Sequence, residues 1–314
     1  MRRLVSVLSL TPLALFAQAP APAPTPTPAP ASAPQAASAP AAQPAPSLAQ
    51  VYGAQHAALE ALTKTDPDAA LAQIEALLPA QAPAFDKTDV STAQKSINEY
   101  DALTKLYAMA AQAANASGQW EKSEDFATKA KATAQANYDN AQAPLKAFQD
   151  TWKKAQDEAQ KSLDEMATLA KVEKPTADQT ARLGFLKQNE AVFQGNVTHG
   201  QQMVSLVDRN LDALKGTATD YDPFITSMAA RLKNEADNIE KFKGDKKAFA
   251  SAALESADVY KDKDAELTYV RRLHVLSPDD KKIEHKLNVL LGKEKDVPVK
   301  KSTKHTTRGK KKGH

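Results

Sequence analysis

Four histidines in the central region are the side chains best suited to acid–base chemistry or metal binding. His56, His199, His274 and His285 lie far apart, and no two have the i, i+4 spacing that places two metal ligands on one helical face. Motifs for a serine nucleophile, a zinc-binding helix, a phosphate loop or a dinucleotide fold are absent from the sequence. The sequence therefore predicts a protein that is not an enzyme and has no metal ion and no cofactor. A site assembled from remote segments is the alternative left open.

A second set of charged side chains lies between residues 153 and 165, where lysines and acids alternate. Pairs spaced three or four residues apart lie on a helix surface, and each contributes only about 0.2–0.5 kcal/mol. We interpret this set as a solvated face and not as a catalytic pair of carboxylates. Its members are Lys153, Lys154, Asp157, Glu158, Lys161, Asp164 and Glu165.

The two tryptophans are the remaining side chains that suggest ligand binding, since an indole can stack on a ring or a sugar. Trp120 and Trp152 both occupy positions that the helical period assigns to packing. We therefore predict that both indoles belong to the core.

The C-terminal residues 296–314 carry the clearest binding signal, because from Val297 onward they contain seven strong cations and no acid. Such a segment attracts polyanions and cannot bury enough apolar surface to fold, so we predict a disordered tail. The predicted polyanion-binding residues are Lys300, Lys301, Lys304, Arg308, Lys310, Lys311 and Lys312. The tail has no aromatic residue for base stacking, which argues against sequence-specific nucleic-acid binding. A tail that only aids solubility is the alternative.

The N-terminal residues 1–19 have the pattern of a secretory signal peptide. Arg2 and Arg3 precede a short apolar run that ends in Ala17, Gln18 and Ala19. The run is shorter than the roughly 20 residues that cross a bilayer, so we predict a periplasmic or secreted protein. Retention at the inner membrane by an uncleaved N-terminus is the alternative. The chain contains no cysteine, which excludes a lipid-anchored cysteine and any disulfide.

Residues 20–46 form a linker of proline and alanine, which predicts an extended, disordered segment because proline lacks a backbone donor. From residue 47 to residue 295 the apolar residues recur at helical spacing, with no convincing two-residue alternation. We predict an all-α fold there. Ser47 is expected to cap the first helix, the turn at 65–68 to begin a second, and a third to run from about Ser91 to a turn at 115–118.

Two segments, residues 103–134 and 247–291, resemble tetratricopeptide repeats. In the first, Gly118, Trp120, Ser123 and Ala130 match the family's turn glycine, aromatic residue and small contact residues, although Phe126 falls one position early. In the second, the matching residues are Ala257, Tyr260, Ala265, Tyr269 and Leu273, followed by the proline-containing turn of LSPDDKKIEHKL, with one residue inserted before the turn. The resemblance implies helical hairpins that bind a protein or peptide partner.

Residues 144–216 show a seven-residue apolar repeat, which predicts a long antiparallel coiled-coil hairpin. One seam contains Leu145, Phe148, Trp152, Ala155, Ala159, Ser162, Met166 and Leu169. The other contains Leu183, Leu186, Phe193, Val197, Val204, Val207, Leu211 and Leu214, and it is interrupted at Glu190 and Gly200. Thr176 and Gln179 have capping-box spacing, which places the turn. The flanking segments are then 47–143, with N-terminal hairpins, and 217–295, with the C-terminal helices.

Together these features predict an exported, non-enzymatic scaffold that binds an unidentified protein or peptide through its helical hairpins. The coiled-coil hairpin would serve as an arm for spacing or for self-association. The alternative is a cell-envelope tether, in which the basic tail binds anionic envelope polymers and the helices act as a spacer. The formal net charge of +3 includes seven tail cations and two N-terminal arginines, so the remainder of the chain is at −6.

Overall fold

A computed structural model describes residues 46–295, and over this range the chain is helix and turn without a β-strand. The all-α prediction is therefore confirmed. The helices are α1 (Leu48–Thr65), α2 (Pro67–Leu77), α3 (Val90–Ala116), α4 (Trp120–Leu169), α5 (Ala177–Gln188), α6 (Glu190–Thr219), α7 (Asp222–Glu240), α8 (Lys246–Leu254), α9 (Lys263–Leu276) and α10 (Lys281–Leu290), with a 3-10 turn at Ala257–Val259. The signal peptide, the basic tail and all of the linker except Pro46 lie outside the described residues.

The described chain divides into two compact units. Unit 1 comprises residues 46–114 and 121–231, and unit 2 comprises residues 115–120 and 232–295. The predicted segments 47–143, 144–216 and 217–295 stay a prediction about domains. Helix α4 runs without interruption through residues 143 and 144, where the first of those boundaries was placed.

The first two helices of unit 1 begin where their sequence signals predict. The Ser47 hydroxyl accepts the Gln50 N–H, and the Gln50 side chain accepts the Ser47 N–H, which completes a capping box. Asp66 ends α1 and caps α2 through the Ala69 N–H, with Pro67 as the first residue of α2. These local bonds satisfy backbone donors that a helix start would otherwise leave unpaired.

Helices α3 and α4 pack closely within unit 1 because small residues line their contact. Ala110, Ala113 and Ala127 are almost completely buried in a core that also contains Leu106 and Phe126. The Ser123 hydroxyl, fully buried, donates to the carbonyl oxygen of Ala111 at 2.8 Å. A larger side chain at these positions would separate the helices, since protein interiors are close-packed.

Helix α4 is 50 residues long and contains Pro144 in its interior. Proline has no N–H, so the carbonyl of Asn140 loses its usual i+4 donor at this point. Buried Ala141 and Leu145 flank the proline and pack with Val207 and Leu214 of α6. Tertiary packing thus holds a residue that is unfavourable inside an isolated helix.

The distal part of α4 and the α5–α6 segment run in opposite directions. The Gln149 side chain donates to the carbonyl of Val204 at 3.2 Å and to Asp208 at 2.6 Å, whereas Arg182 pairs with Glu165 further along α4. Positions that increase along α4 therefore contact positions that decrease along α6 and α5.

Gly200 marks the closest approach of these two segments. A Cβ atom at this position would lie 2.7 Å from Cβ of Gln156 and 3.2 Å from the carbonyl oxygen of Trp152. In the sequence, Gly200 interrupts the apolar seam. In the structure, it forms a close contact that only glycine permits.

The α4–α5 connection has the predicted cap. The Thr176 hydroxyl accepts the Gln179 N–H, and the Gln179 side chain accepts the Thr176 N–H, so the capping box is confirmed. Asn189 then separates α5 from α6. Its side-chain amide donates to the carbonyl of Phe185 at 2.8 Å and competes with the backbone for that acceptor.

Unit 2 packs α8, α9 and α10 around a small apolar core. Ala250, Val270, Leu273 and Ile283 are completely buried there. The 115–120 turn also belongs to this unit, and its Gly118 has φ +79°. A Cβ atom on Gly118 would lie 2.5 Å from the backbone N of Arg272, so α9 rests directly on the glycine.

Candidate binding surfaces

The predicted polyanion-binding residues lie in the tail, beyond the last described residue. Lys300, Lys301, Lys304, Arg308, Lys310, Lys311 and Lys312 therefore stay a prediction from charge alone. Over residues 46–295 none of the helices combines the length and apolar character that a bilayer crossing requires.

Three of the four central histidines have separate neighbours. His56 lies beside the Tyr52 ring, with 5.2 Å between ring centroids, and His199 lies beside Trp152 at 5.8 Å. His285 pairs with Glu294 through Nδ1 at 2.5 Å. Within the described part of the chain, no group of three or more histidines, aspartates and glutamates is arranged to hold a metal ion.

Only some of the charged residues of α4 form the surface pairs that their spacing predicts. Lys154 and Glu158 approach to 4.0 Å as an exposed i, i+4 pair. Glu165 instead forms two hydrogen bonds with Arg182 of α5, at 3.0 Å from Nε and 2.7 Å from Nη2. The hydrogen bond from Arg182 lowers the pKa of Glu165. Seventeen residues separate this pair, so helical periodicity could not reveal it.

Trp120 is buried as expected, but its environment contains a charge that the sequence did not indicate. The guanidinium of Arg272 lies 5.1 Å from the centroid of the indole ring, close enough for a cation–π interaction. Its Nε and Nη2 bond both carboxylate oxygens of Glu235, with Nε at 2.8 Å. Arg272 is only 1% exposed, so unit 2 contains a buried, bidentate ion pair on an indole.

The same arginine ties α9 to the 115–120 turn. Nη1 of Arg272 donates to the carbonyl of Gly118 at 3.2 Å, and Nη1 of Arg271 donates to the carbonyl of Ala116 at 3.4 Å. These bonds occupy carbonyls at the end of α3 that lack a partner within the helix. Because the guanidinium of Arg272 is used for internal contacts, we assign this cluster a structural role.

A second cluster of titratable groups lies in unit 1, on α1, on α3 and at the start of α7. Nζ of Lys105 lies 2.6 Å from the carboxylate of Asp101 and 6.0 Å from the centroid of the Tyr52 ring. Burial, with a contribution from Asp101, raises the pKa of Tyr221 to about 12 and raises the pKa of Tyr52 further. Both phenols stay protonated near neutral pH, and Lys105 is already paired with an acid. Lys105 and Asp101 therefore offset one another, and neither phenol adds a charge near neutral pH.

Exposed apolar side chains are the features that internal contacts do not explain. In the described residues of unit 1 the exposed large ones are Val172, Phe185 and Val192, all within 21 positions of one another. In unit 2 they are Phe242, Val259, Tyr260 and Val275. Val259 is 79% exposed and Tyr260 follows it directly. Contiguous exposed apolar groups are typical of interaction sites.

The described residues form a helical protein with two compact units and several exposed apolar side chains. Comparisons of the chain with protein-family models, with curated proteins and with solved structures found no match.

Proposed function

We propose that this chain is an exported, non-enzymatic scaffold whose helical hairpins, similar to tetratricopeptide repeats, bind a protein or peptide partner. The observation that carries the proposal is the pair Val259 and Tyr260, which unit 2 presents to solvent beside a packed core. Neighbouring Ala257 is completely buried, so the pair is held at the surface by its own backbone. Tyrosine is among the residues that contribute most to protein interfaces, and an exposed valine beside it adds apolar contact area.

The surroundings of this pair favour a preformed site. The rings of Tyr260 and Tyr269 lie 5.2 Å apart between centroids, which orients the exposed phenol. Helix α8 ends at Leu254, so Ala257 and Tyr260 lie after it, in the 3-10 turn and at its end. Two residues of the repeat-like pattern thus lie in a surface turn, and surface turns often carry binding residues.

The partner surface is tested by capture, identification and a direct affinity measurement. A photoreactive residue at position 260 should give a defined adduct from envelope extract, and the captured protein is then purified. Val259→Asp and Tyr260→Ala should each weaken its binding at least tenfold by calorimetry, while Val172→Asp in unit 1 should leave the affinity unchanged. Equal affinity for all variants would refute this surface.

The contacts between α4 and the α5–α6 segment support the proposal that this part of the chain is a coiled-coil arm. Opposite chain directions, the side-chain bonds from Gln149 and the contact at Gly200 are features of an antiparallel coiled-coil hairpin. Most seam residues between 152 and 197 are half-buried, with Ala159 and Leu186 buried more fully. A two-helix arm of this kind holds its ends apart without requiring a large core.

A tether is the second candidate, and the charge of the tail favours it. Removing residues 297–314 should abolish retention on anionic envelope polymers, and retention of the full chain should fall as salt is raised. The scaffold proposal expects the same protein partner to be captured with and without the tail. Salt-independent retention, or retention after the deletion, would contradict the tether.

Determining the N-terminal residue of the mature protein tests export. Edman sequencing of the protein recovered from the periplasm or the medium should begin near residue 20 if the predicted signal peptide is removed. Recovery of the uncleaved chain in the membrane fraction would support inner-membrane retention instead.

A further inference from the structure

We infer that one face of α5 and α6 is an interface with a second copy of this chain, arranged antiparallel about a two-fold axis between Gln188 and Asn189. This face, the α5–α6 face, consists of Asp178, Ala181, Phe185, Val192, Asn196 and His199. The inference gives the predicted self-association a surface, and it does not depend on the partner proposed for unit 2.

The centre of the α5–α6 face is apolar and open to solvent. Phe185 is 51% exposed and Val192 is 58% exposed. They are seven residues apart, a spacing that places two side chains on the same side of a helix. The Asn189 N–H bonds the carbonyl of Phe185, and the N–H groups of Val192 and Phe193 both bond the carbonyl of Asn189, so α6 follows α5 directly with helical i, i+3 and i, i+4 bonds at the junction. The pair therefore shares one face despite the local distortion at Asn189.

Phe185 is held outward by its neighbours. Leu186 is completely buried, which fixes the rotation of α5 about its axis. The guanidinium of Arg182 lies 5.5 Å from the centroid of the Phe185 ring, and the same guanidinium is bonded to Glu165 of α4. A preorganised aromatic side chain loses little conformational entropy when a partner covers it.

Antiparallel pairing makes the α5–α6 face complementary to itself. A two-fold axis between residues 188 and 189 sets Phe185 against Val192 of the second copy, and the reverse contact repeats on the other side of the axis. The same register sets Ala181 against Asn196 of the second copy, so that a small residue meets a larger one. At the ends it sets Asp178 against His199 of the second copy, where an imidazole N–H can donate to the carboxylate.

Parallel pairing of the same face is disfavoured by charge and volume. It would bring Asp178 next to Asp178 of the second copy and Phe185 next to Phe185, with like charges at one end. The face spans 21 helical steps, roughly 32 Å at 1.5 Å per residue. Its apolar centre is small, so we expect a weak dimer with a dissociation constant on the order of micromolar.

Sedimentation velocity of the full chain over a range of concentrations tests the interface. The wild type should shift from monomer to dimer, and Phe185→Asp or Val192→Asp should raise the dissociation constant at least tenfold. Val172→Asp is the matched control, since Val172 is also an exposed valine of unit 1 but lies outside the face. A monomer at every concentration, or a dimer that both central variants leave intact, would overturn the inference.

Disulfide trapping tests the register, because the chain has no native cysteine. Ala181→Cys and Asn196→Cys chains should form a disulfide when mixed and oxidised, and neither should form one alone. A disulfide between two Ala181→Cys chains would show parallel pairing and overturn the inference. Because neither substitution lies in unit 2, both variants should keep the affinity of unit 2 for its captured partner, which separates this result from a failure of the scaffold proposal.

Discussion

At the scale of single residues, unit 2 depends on polar groups more than its small apolar core suggests. Arg272 combines a bidentate bond to Glu235, a bond to the Gly118 carbonyl and the face of Trp120. A buried ion pair is not by itself strongly stabilising, because desolvation offsets the attraction between its members. Its contacts join α9, α7 and the 115–120 turn within the unit, and we expect them to favour one arrangement of these elements.

Removing one member of this pair should destabilise unit 2 strongly. Glu235→Gln leaves the guanidinium of Arg272 buried without a counter-charge, and we expect a loss of about 3–5 kcal/mol in the free energy of unfolding. Urea denaturation followed by circular dichroism measures this change. Lys154→Ala, which breaks the exposed pair with Glu158, should change stability by less than about 0.5 kcal/mol.

The double variant Glu235→Leu with Arg272→Met separates a charge effect from a packing effect. If the buried charge is the cause, the double variant should be more stable than Glu235→Gln alone. A double variant that is the less stable of the two would show that lost contacts, and not the unpaired charge, cause the destabilisation.

At the scale of elements, the long helix α4 is stabilised by its contacts with other helices. The 50 residues cannot be held by intrinsic propensity alone, particularly with Pro144 in the interior. Contacts along its length supply the stability, from the Ser123 bond to α3 to the Gly200 contact with α6 and the Arg182 bond to Glu165. These contacts are widely spaced, and few seam residues between 152 and 197 are fully buried.

Two glycines of α6 should respond in opposite ways to the same substitution. Gly195→Ala adds a Cβ into open space and should stabilise the protein by about 0.5–1 kcal/mol through helix propensity. Gly200→Ala adds a Cβ that meets Gln156 and should destabilise it by about 1–3 kcal/mol. Thermal unfolding of both variants measures the difference. A stabilising Gly200→Ala would show that α4 and α6 do not approach closely at this point.

At the scale of the whole molecule, the charges are distributed unevenly along the chain. The described residues of unit 1 contain 18 basic and 24 acidic side chains, a net −6, while the seven tail cations follow unit 2. Polyanion binding is therefore expected from the tail and opposed by the acidic part of the chain. Deleting residues 297–314 should change the sign of the interaction with an anionic matrix.

Alkaline pH should lower the free energy of unfolding, because two tyrosines of unit 1 ionise less readily in the folded protein. The pKa of Tyr221 is raised to about 12 from an ordinary value of 10.0, and the pKa of Tyr52 is raised also, in both cases mainly by burial. The unfolded chain releases these protons at lower pH than the folded chain. The stability associated with Tyr221 is thus fully present below about pH 10 and is lost as pH rises through about 12, and the stability associated with Tyr52 is lost in the same direction at higher pH.

Urea unfolding at stepped pH through this window measures the effect. Tyr52→Phe and Tyr221→Phe, which remove the ionisable hydroxyls, should each reduce the slope of stability against pH. If the curves for both variants ran parallel to the wild-type curve, the two phenols would not be the cause of the alkaline loss.

The sequence by itself determined the all-α class, the caps at Ser47 and Thr176, the start of a second helix at the 65–68 turn and the end of the third at the 115–118 turn. Each depends on groups within about four residues of one another, so composition and spacing are enough to specify it. Tertiary structure alone decided that α4 is continuous, that Arg272 meets Glu235 across 37 residues, and that Gly200 is a contact where the seam appeared broken. It also decided that Phe185 faces solvent, because exposure depends on which side of a helix a distant segment covers.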